Sequence, residues 1–483
     1  MVMKSLARLR LATRERPYEV SPLACGSLRG NGIVSSDVDA AEGSSALPRM
    51  EDVVSLCARR GFIWQSSEIY GGINGFWDYG PLGVELKNNL KALWWQRVVR
   101  ERDDVEGIDS SIIAHPRTWE ASGHVEHFSD PLVDCRACKK RMRADQLDDA
   151  GPCPSREGTS EHDWTEARNF NLMLKTFVGA QEDAAATAFL RAETCQSIFL
   201  DFKRVRESAR QKLPFGIAQI GKAFRNEINP RNFTFRSREF EQAELEFFCH
   251  VSEREKWFEH WLGERLAFHK ALGLTEARLR VRPHRPDELA HYAHAAADLE
   301  FLFPFGWQEI EGIHDRGDWD LRRHSEFSGK DLTVTDEETK ERFHPCVIET
   351  SVGVDRTCLA LLANSYQEEK LADGETRALL RLPFAVAPVK AAVLPLAKKL
   401  AEPAQRIAKD LRRHWSVFYD ESGNIGRRYR RQDEVGTPFC ITYDFDSESD
   451  ARVTVRARDS MVQERIPVDG LGAYLQDRLE TAR

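Results

Sequence analysis

The sequence predicts an α+β domain, an antiparallel sheet flanked by helices, followed by a smaller α/β domain, and three observations carry that prediction. The run Phe224 to Phe248, FRNEINPRNFTFRSREFEQAELEFF, sets Arg225 and Glu227 two residues apart, breaks at Asn229-Pro230, and resumes with Phe240, Gln242 and Glu244 two apart. Side chains spaced by two share one face of a strand, and the break turns the chain back, so the runs read as an antiparallel hairpin. Its many phenylalanines demand a packed sheet beneath, unlike a purely solvated ribbon. Second, FHPCVIETSVGVDRTCLALLANSY (Phe343 to Tyr366) reads as a strand, a turn at Gly353 and an apolar helix. Third, beyond Leu382 to Pro388 the chain alternates short strands with helices, the pattern of a separate α/β unit with a mostly parallel sheet.

At 483 residues the chain exceeds what one core usually holds. With 41% hydrophobic and 30% charged residues, a mean hydropathy of -0.50 and no apolar run of bilayer-spanning length, an integral membrane role is disfavoured. A net charge of -8 excludes a polycation that grips nucleic acid indiscriminately, so any nucleic-acid partner needs local basic surface. Most of the ten scattered cysteines sit in apolar or helical contexts, as expected for reduced thiols inside a cell.

Residues 1–49 hold Arg8, Arg10, Arg14 and Arg16 and then Ser/Gly/Ala-rich text with little to bury. They are expected to be a disordered N-terminal extension, or a start called too early, in preference to an organelle transit peptide, and the protein is expected in the cytoplasm. A helix follows from Met50 to near Gly61. The Gly-rich segment Ser66 to Gly83 is anchored by Tyr70, Trp77 and Tyr79, and Pro81 opens an amphipathic helix through Leu86, Leu90, Trp94 and Val98. From Gly123 to Trp164 the text is polar, with an insertion expected around 124–165. Strand Asn169 to Phe177, helix Glu182 to Leu190, a helix bearing Trp257, Trp261 and Phe268, and a strand pair from Ala297 to Ile313 complete a domain over 50–383. The second domain spans 384–483. Its Arg412, Arg413, Arg427, Arg428, Arg430 and Arg431 are candidates for phosphate contacts, or equally a solvated helix face.

Two sites of chemistry stand out. Cys135-x-x-Cys138 and Cys153-Pro supply three thiols of a zinc knuckle, but Arg156 stands at the fourth position. Although His162 could complete a set, the expectation is a degenerate knuckle that folds without metal. Arg356, at the start of an apolar helix beside Gly353, either caps or salt-bridges there or helps to hold an anion, because free N–H groups and the helix dipole favour negative charge at that end. With Arg225 it supplies two rigid guanidiniums for separate phosphates of one triphosphate.

FRNE with TFRSREFEQ resembles the second signature motif of class II aminoacyl-tRNA synthetases, GVDR with its helix the third, and the Tyr79-Gly-Pro-Leu-Gly83 opening of the helix the first, dimer-forming one. More narrowly, SEIYGGINGFWDYGPLGVELKNN, the run from Lys212 to Phe248 and DEVGTPFCITYDFD resemble the homodimeric glycyl-tRNA synthetases, from about Met50 to the C-terminus. The resemblance implies a class II catalytic domain followed by an anticodon-binding domain, ATP-dependent activation of glycine to glycyl-adenylate, transfer to tRNA(Gly), Mg2+, and a homodimer. It implies Arg225 and Arg356 as catalytic residues. It implies an ATP site from Arg225, Asn226, Glu227, Phe235, Arg236, Ser237, Arg238, Glu239, Phe240, Glu309, Ile310, Gly353, Val354, Asp355 and Arg356. Within it Arg225 would meet the α-phosphate, Glu227 the adenine edge, Phe240 the ring, Arg236 and Arg356 the outer phosphates, and Glu309 the magnesium. It implies a glycine site from Glu193, Glu244, Glu349 and Ser351 around the ammonium and Arg316 at the carboxylate, with Arg143, Phe240, Glu241, Gln242 and Gly353.

The chain departs from the family pattern at Ala192, Cys195, Gln308 and Thr350 and in the missing fourth cysteine, while the charged groups persist, so activity is expected. Two rival readings are a paralogue that loads glycine onto another acceptor and a non-catalytic nucleic-acid-binding subunit. The retained second domain argues against the first, and Arg225, Glu227 and Arg356 against the second.

Overall fold

The computed structural model describes residues 47–481 apart from 157–160, 184–185, 291, 338, 371–373 and 375. The expected extension over 1–49 therefore lies, but for its last three residues, outside the described residues. Among the described residues no helix is long and apolar enough to cross a membrane.

A seven-stranded sheet runs in the order Leu279–Pro283, Ala295–Phe303, Gly306–Gly317, Cys346–Gly353, Glu239–Cys249, Phe215–Phe224 and Val105–Gly107. Every neighbouring pair is antiparallel except the last, where Val105–Gly107 joins parallel to Phe215–Phe224. Strand alternation divides the two faces. From Glu239–Cys249, Ala243, Leu245 and Phe247 enter the main core, together with Leu299, Ile313 and Ile348. The helix Val354–Ser365 is buried nearly all round, which explains why its sequence is apolar without a stripe. The helix Arg254–Ala271 adds Trp261 and Phe268, and its Arg265 and His269 both bond the buried Glu311 at 2.6 Å. Removing one partner there would strand a charge in the core. On the opposite face, Phe240, Gln242, Glu244 and Glu246 form a polar row. It ends at Phe248, which packs under the helix Cys195–Ala209 with Phe199 and Phe202.

Of the two runs read as a hairpin only the second is a strand, Glu239–Cys249; its antiparallel partner is Phe215–Phe224, upstream of the expected first run, and Arg225 and Glu227 lie past the strand end, in the long connection. Their spacing by two is therefore not strand alternation. Arg225 N instead bonds Arg238 O at 2.9 Å, which keeps the two arms together where the ladder stops. The expected helix Glu182 to Leu190 is also corrected, because Thr187–Leu190 is a strand pairing with both Lys175–Phe177 and Ile113–Ala114. Alanine-rich text favours a helix only weakly, and two flanking edges override it. The strand expected over Asn169 to Phe177 is two, Arg168–Asn171 and Lys175–Phe177, in different sheets.

The first helix, Met50–Arg60, ends at Gly61 with φ 75°. The chain then packs so tightly on the helix Pro81–Trp95 that a Cβ on Gly83 would stand 1.9 Å from the Phe62 carbonyl oxygen. Only glycine fits that approach.

The C-terminal sheet runs Val417–Tyr419, Ala391–Pro395, Phe439–Tyr443, Arg452–Ala457 and Gln463–Pro467. The first three are parallel and the last two join antiparallel, so the sheet is mixed and not mostly parallel. A link as short as that from Ala457 to Gln463 can only return as a hairpin, since parallel neighbours need a long crossover. Arg428 is buried on the Pro395 carbonyl at 2.6 Å and Arg431 pairs with Asp420, so both serve the fold, whereas Arg413 and Arg427 are exposed. Arg456 grips Asp433 through two bonds of 2.9 and 3.0 Å. Arg458 donates to the carbonyls of Leu382 and Gly436, each at 2.9 Å, tying the junction to this sheet.

Candidate active site

The polar row of the sheet floors a cleft of about 220 Å³. Strand register sets Glu244 opposite Ser351, Glu246 opposite Glu349, and Glu349 opposite His314. Glu244 accepts bonds from Ser351 Oγ at 2.6 Å, Thr194 N at 2.9 Å and Gln242 Nε2 at 3.0 Å, and also from the Thr194 hydroxyl. Glu193 accepts from Gln196 Nε2 at 3.0 Å and Cys195 Sγ at 3.1 Å, with His124 Nε2 3.3 Å away. Glu349 lies 2.8 Å from His314 Nδ1 and 3.1 Å from Arg316 Nη1.

These environments separate the carboxylates electrostatically. Burial opposes the charge of Glu193, yet His124 and Arg316 hold it well below the usual carboxylate range. Burial likewise opposes the charge of Glu349, but Arg316 and His314 hold its carboxyl below the usual range. Burial, then Glu349 and Glu193, push Glu244 up to about 7. Glu246, fully buried and with neither oxygen bonded among the described residues, is raised well above the usual range by burial and then Glu349. Arg316 is itself buried and bound to Asp320 through Nε at 2.7 Å and Nη2 at 3.0 Å, so a ligand carboxylate would have to displace one of its acids. The pocket carries more acid than base, an arrangement that a small cation completes.

The other end of the cleft is cationic. Arg225 lies with its guanidinium 5.3 Å from the rings of both Phe128 and Phe240, and its Nε donates to Ala192 O at 3.1 Å. No carboxylate forms a salt bridge with it among the described residues. Arg356 stacks 4.5 Å from the Phe235 ring, donates to Phe235 O at 3.2 Å and pairs with Glu309 at 3.1 Å. Arg236 pairs with Glu227 at 2.8 Å. Glu193, Arg225, Glu227, Phe235, Arg236, Ser237, Phe240, Gln242, Glu244, Glu309, Arg316, Glu349, Ser351, Gly353 and Arg356 thus line one cleft.

Other expected residues are placed differently. Glu241 and Asp355 touch the cleft, but their carboxylates turn to Lys87 at 3.0 and 2.8 Å, on the far side of the strand. Strand parity requires this, since Glu241 alternates with Phe240 and Gln242. Ile310 and Val354 are core residues, and Glu239 pairs with Lys222. Arg238 donates to Asn74 O at 2.7 Å, bracing the Gly-rich segment, and Asn226 N donates to Leu172 O at 2.8 Å. Arg143 pairs with Asp130 at 2.7 Å in the insertion, outside the cleft lining. Sequence reading missed Tyr292, His314, Thr194, His124 and Glu246. Glu246 had a signal in the continued spacing by two after Glu244, as did His314 two residues before Arg316, and Thr194 adjoins Glu193 in the chain; His124 and Tyr292 arrive from distant segments.

In the insertion, Ser129–Asp134 pairs antiparallel with both Arg141–Arg143 and Arg168–Asn171. Cys135, Cys138, Cys153 and His162 come together beside it, their ligand atoms all within 4.8 Å of one another.

A family profile for the class II tRNA synthetase core domain (G, H, P, S and T) matches residues 179–365, and one for an anticodon binding domain matches 390–478. The chain is 50% identical over 457 residues to a glycine–tRNA ligase of Geobacillus kaustophilus, covering 89% of this chain and 99% of that one. It is 51% identical over 458 residues to a glycine–tRNA ligase of Caldanaerobacter subterraneus, covering 89% and 98%. The chain belongs to the glycine–tRNA ligase family. Its fold also resembles a solved prolyl-tRNA synthetase of Cryptosporidium parvum complexed with L-proline and AMP, with TM-score 0.61, 15% identity, and coverage of 89% of this chain and 75% of that one. As a class II ligase of this family, the chain keeps an acidic pocket and an open guanidinium side by side in one cleft.

Proposed function

We propose that the chain activates glycine with ATP to glycyl-adenylate and transfers the glycyl group to the 3' end of tRNA(Gly). The observation that carries this reading is the continuity of the cleft: a nest of Glu193, Glu244 and Glu349 adjoins Arg225, and the channel continues to Arg356. The ammonium of glycine sits among the carboxylates, with Ser351 orienting Glu244 and Arg316 orienting Glu349. Its carboxylate oxygen attacks the α-phosphorus and pyrophosphate leaves, so the protein supplies position and charge and no nucleophile. Arg225 neutralises the α-phosphate, Phe240 stacks on adenine and Glu227 meets its edge, and Arg236 and Arg356 hold the outer phosphates once ATP displaces their present acids. Magnesium commonly takes one or two carboxylates plus substrate phosphates, and Glu309, half exposed at the channel end, fits as such a ligand; bound there, the ion would offset phosphate charge. Exclusion of alanine needs a wall that clashes, because a missing contact with one methyl is worth only about 1–3 kcal/mol.

We place the tRNA anticodon end on residues 384–483, where Arg413 and Arg427 are free of the core, and the reaction in the cytoplasm. A homodimer is supported by Ile69 and Tyr70, 88% and 87% exposed, and by Ile73 beside them, an apolar patch that a second copy would cover. The test is glycine-dependent exchange of pyrophosphate into ATP by the pure full chain, followed by charging of tRNA(Gly). Absence of exchange overturns the enzyme reading, and exchange without charging points to another acceptor.

A further inference from the structure

We propose that Cys135, Cys138, Cys153 and His162 bind a structural zinc ion that braces the insertion against the connection of the central hairpin. Cys135 Sγ and Cys153 Sγ lie 3.9 Å apart and Cys138 Sγ lies 3.4 Å from His162 Nδ1. Tetrahedral zinc with bonds of about 2.3 Å to sulfur and about 2.0–2.1 Å to nitrogen demands separations of roughly 3.8 Å and 3.6 Å. A disulfide would need sulfurs at about 2.05 Å, so this spacing is that of ligands around a common centre.

The histidine is oriented as a ligand. His162 Nε2 lies 3.1 Å from the Gly151 carbonyl, which accepts its proton and leaves the Nδ1 lone pair facing the thiols. A carbonyl behind the distal ring nitrogen is the usual support of a metal-bound imidazole. The ring also stacks on Trp164, with centroids 4.5 Å apart and planes at 19°. The thiol side is built as well: Cys135 N donates to Lys140 O at 2.8 Å and Lys139 N to Cys135 O at 3.0 Å, around Lys139 at φ 62°. That tight turn aims Cys135 and Cys138 at one point. Arg156, which occupies the fourth position of the sequence pattern, reaches instead to Glu161 O at 3.4 Å.

The insertion needs such a staple. Among the described residues its own apolar cluster buries just Val133, Met142 and Ala150, with Ala144, Leu147 and Trp164 partly covered, too little to hold three short strands in place. Three thiolates and an imidazole select zinc over the hard cations. The bracing follows from connectivity: the strand after Cys138 carries Arg143, which pairs with Asp130, and Asp149 pairs with Arg231 of the hairpin connection.

The full-length protein, expressed with zinc and purified without chelator, should contain a single zinc per chain by elemental analysis. Cobalt exchanged into it should show thiolate charge-transfer and tetrahedral d–d bands. His162→Ala should lose zinc to a competing chelator more than about tenfold more readily, and His162→Cys should restore retention. Proteolysis within the insertion should accelerate on zinc removal. Zinc at background level, a Cys135–Cys153 disulfide by mass spectrometry, or full retention in His162→Ala would each overturn the proposal. The parent protein's metal content decides the matter even if a variant fails to fold.

Discussion

Arg225→Ala should separate catalysis from folding. The guanidinium is held by two phenylalanine rings and the Ala192 carbonyl, and among the described residues no carboxylate is bonded to it. Truncation therefore strands no buried charge, and its stability cost is confined to one hydrogen bond and two cation–π contacts, together about 2–3 kcal/mol. The reaction loses more. Removing one preorganised donor from a developing phosphate or oxyanion charge costs about 2.7–4 kcal/mol, or about 10²- to 10³-fold in rate. Glycine-dependent pyrophosphate exchange at saturating ATP should fall by that factor, while the thermal transition stays cooperative. Arg225→Lys should fall between the two, since it keeps the charge but loses the planar fork. Exchange within tenfold of the parent would refute the assignment of the α-phosphate. Loss of the cooperative transition would refute the argument that the site tolerates truncation.

Glu244 links pH to both stability and binding. Its folded value of about 7 lies above its ordinary 4.5, so its stabilising contribution is present below the unfolded value and lost as pH rises through 7. Glu244→Gln should therefore gain stability over the parent between about pH 4.5 and 7, on the order of 3 kcal/mol, while binding glycine more weakly; parallel stability curves would refute this. For the same reason glycine binding near pH 6.5 should release protons in the parent, which calorimetry in buffers of different ionisation enthalpy reads directly. Thr350 is fully buried, and among the described residues its hydroxyl has no partner. Thr350→Val keeps the shape and removes the orphaned group, so denaturant unfolding should show a gain of about 1–3 kcal/mol; a loss would show that the hydroxyl is satisfied.

Much of the site was legible because its chemistry is local. Phe240, Gln242 and Glu244 declare one strand face by their spacing, and Gly353 to Arg356 declare a helix start with a guanidinium in its first turn. Where the same rule was extended too far, it failed. Arg225 and Glu227 have the spacing of a strand, but the ladder ends at Phe224. Glu241 was grouped with its neighbours, although parity sends its carboxylate to Lys87 and Lys91. The strand Thr187–Leu190 was unreadable because its stability comes from two partners elsewhere in the chain.

The sequence by itself determined which charged and aromatic groups the chain brings to a strand face and a helix start, since those periods are properties of the backbone. Only the tertiary structure decided their company. Ser351 reaches Glu244 across 107 residues, and Arg316 reaches Glu349 across 33. His314 joins Glu349 by register, and His162 takes the place that Arg156 leaves beside three thiols. Such meetings depend on pairing and packing between distant segments, and no local period encodes them.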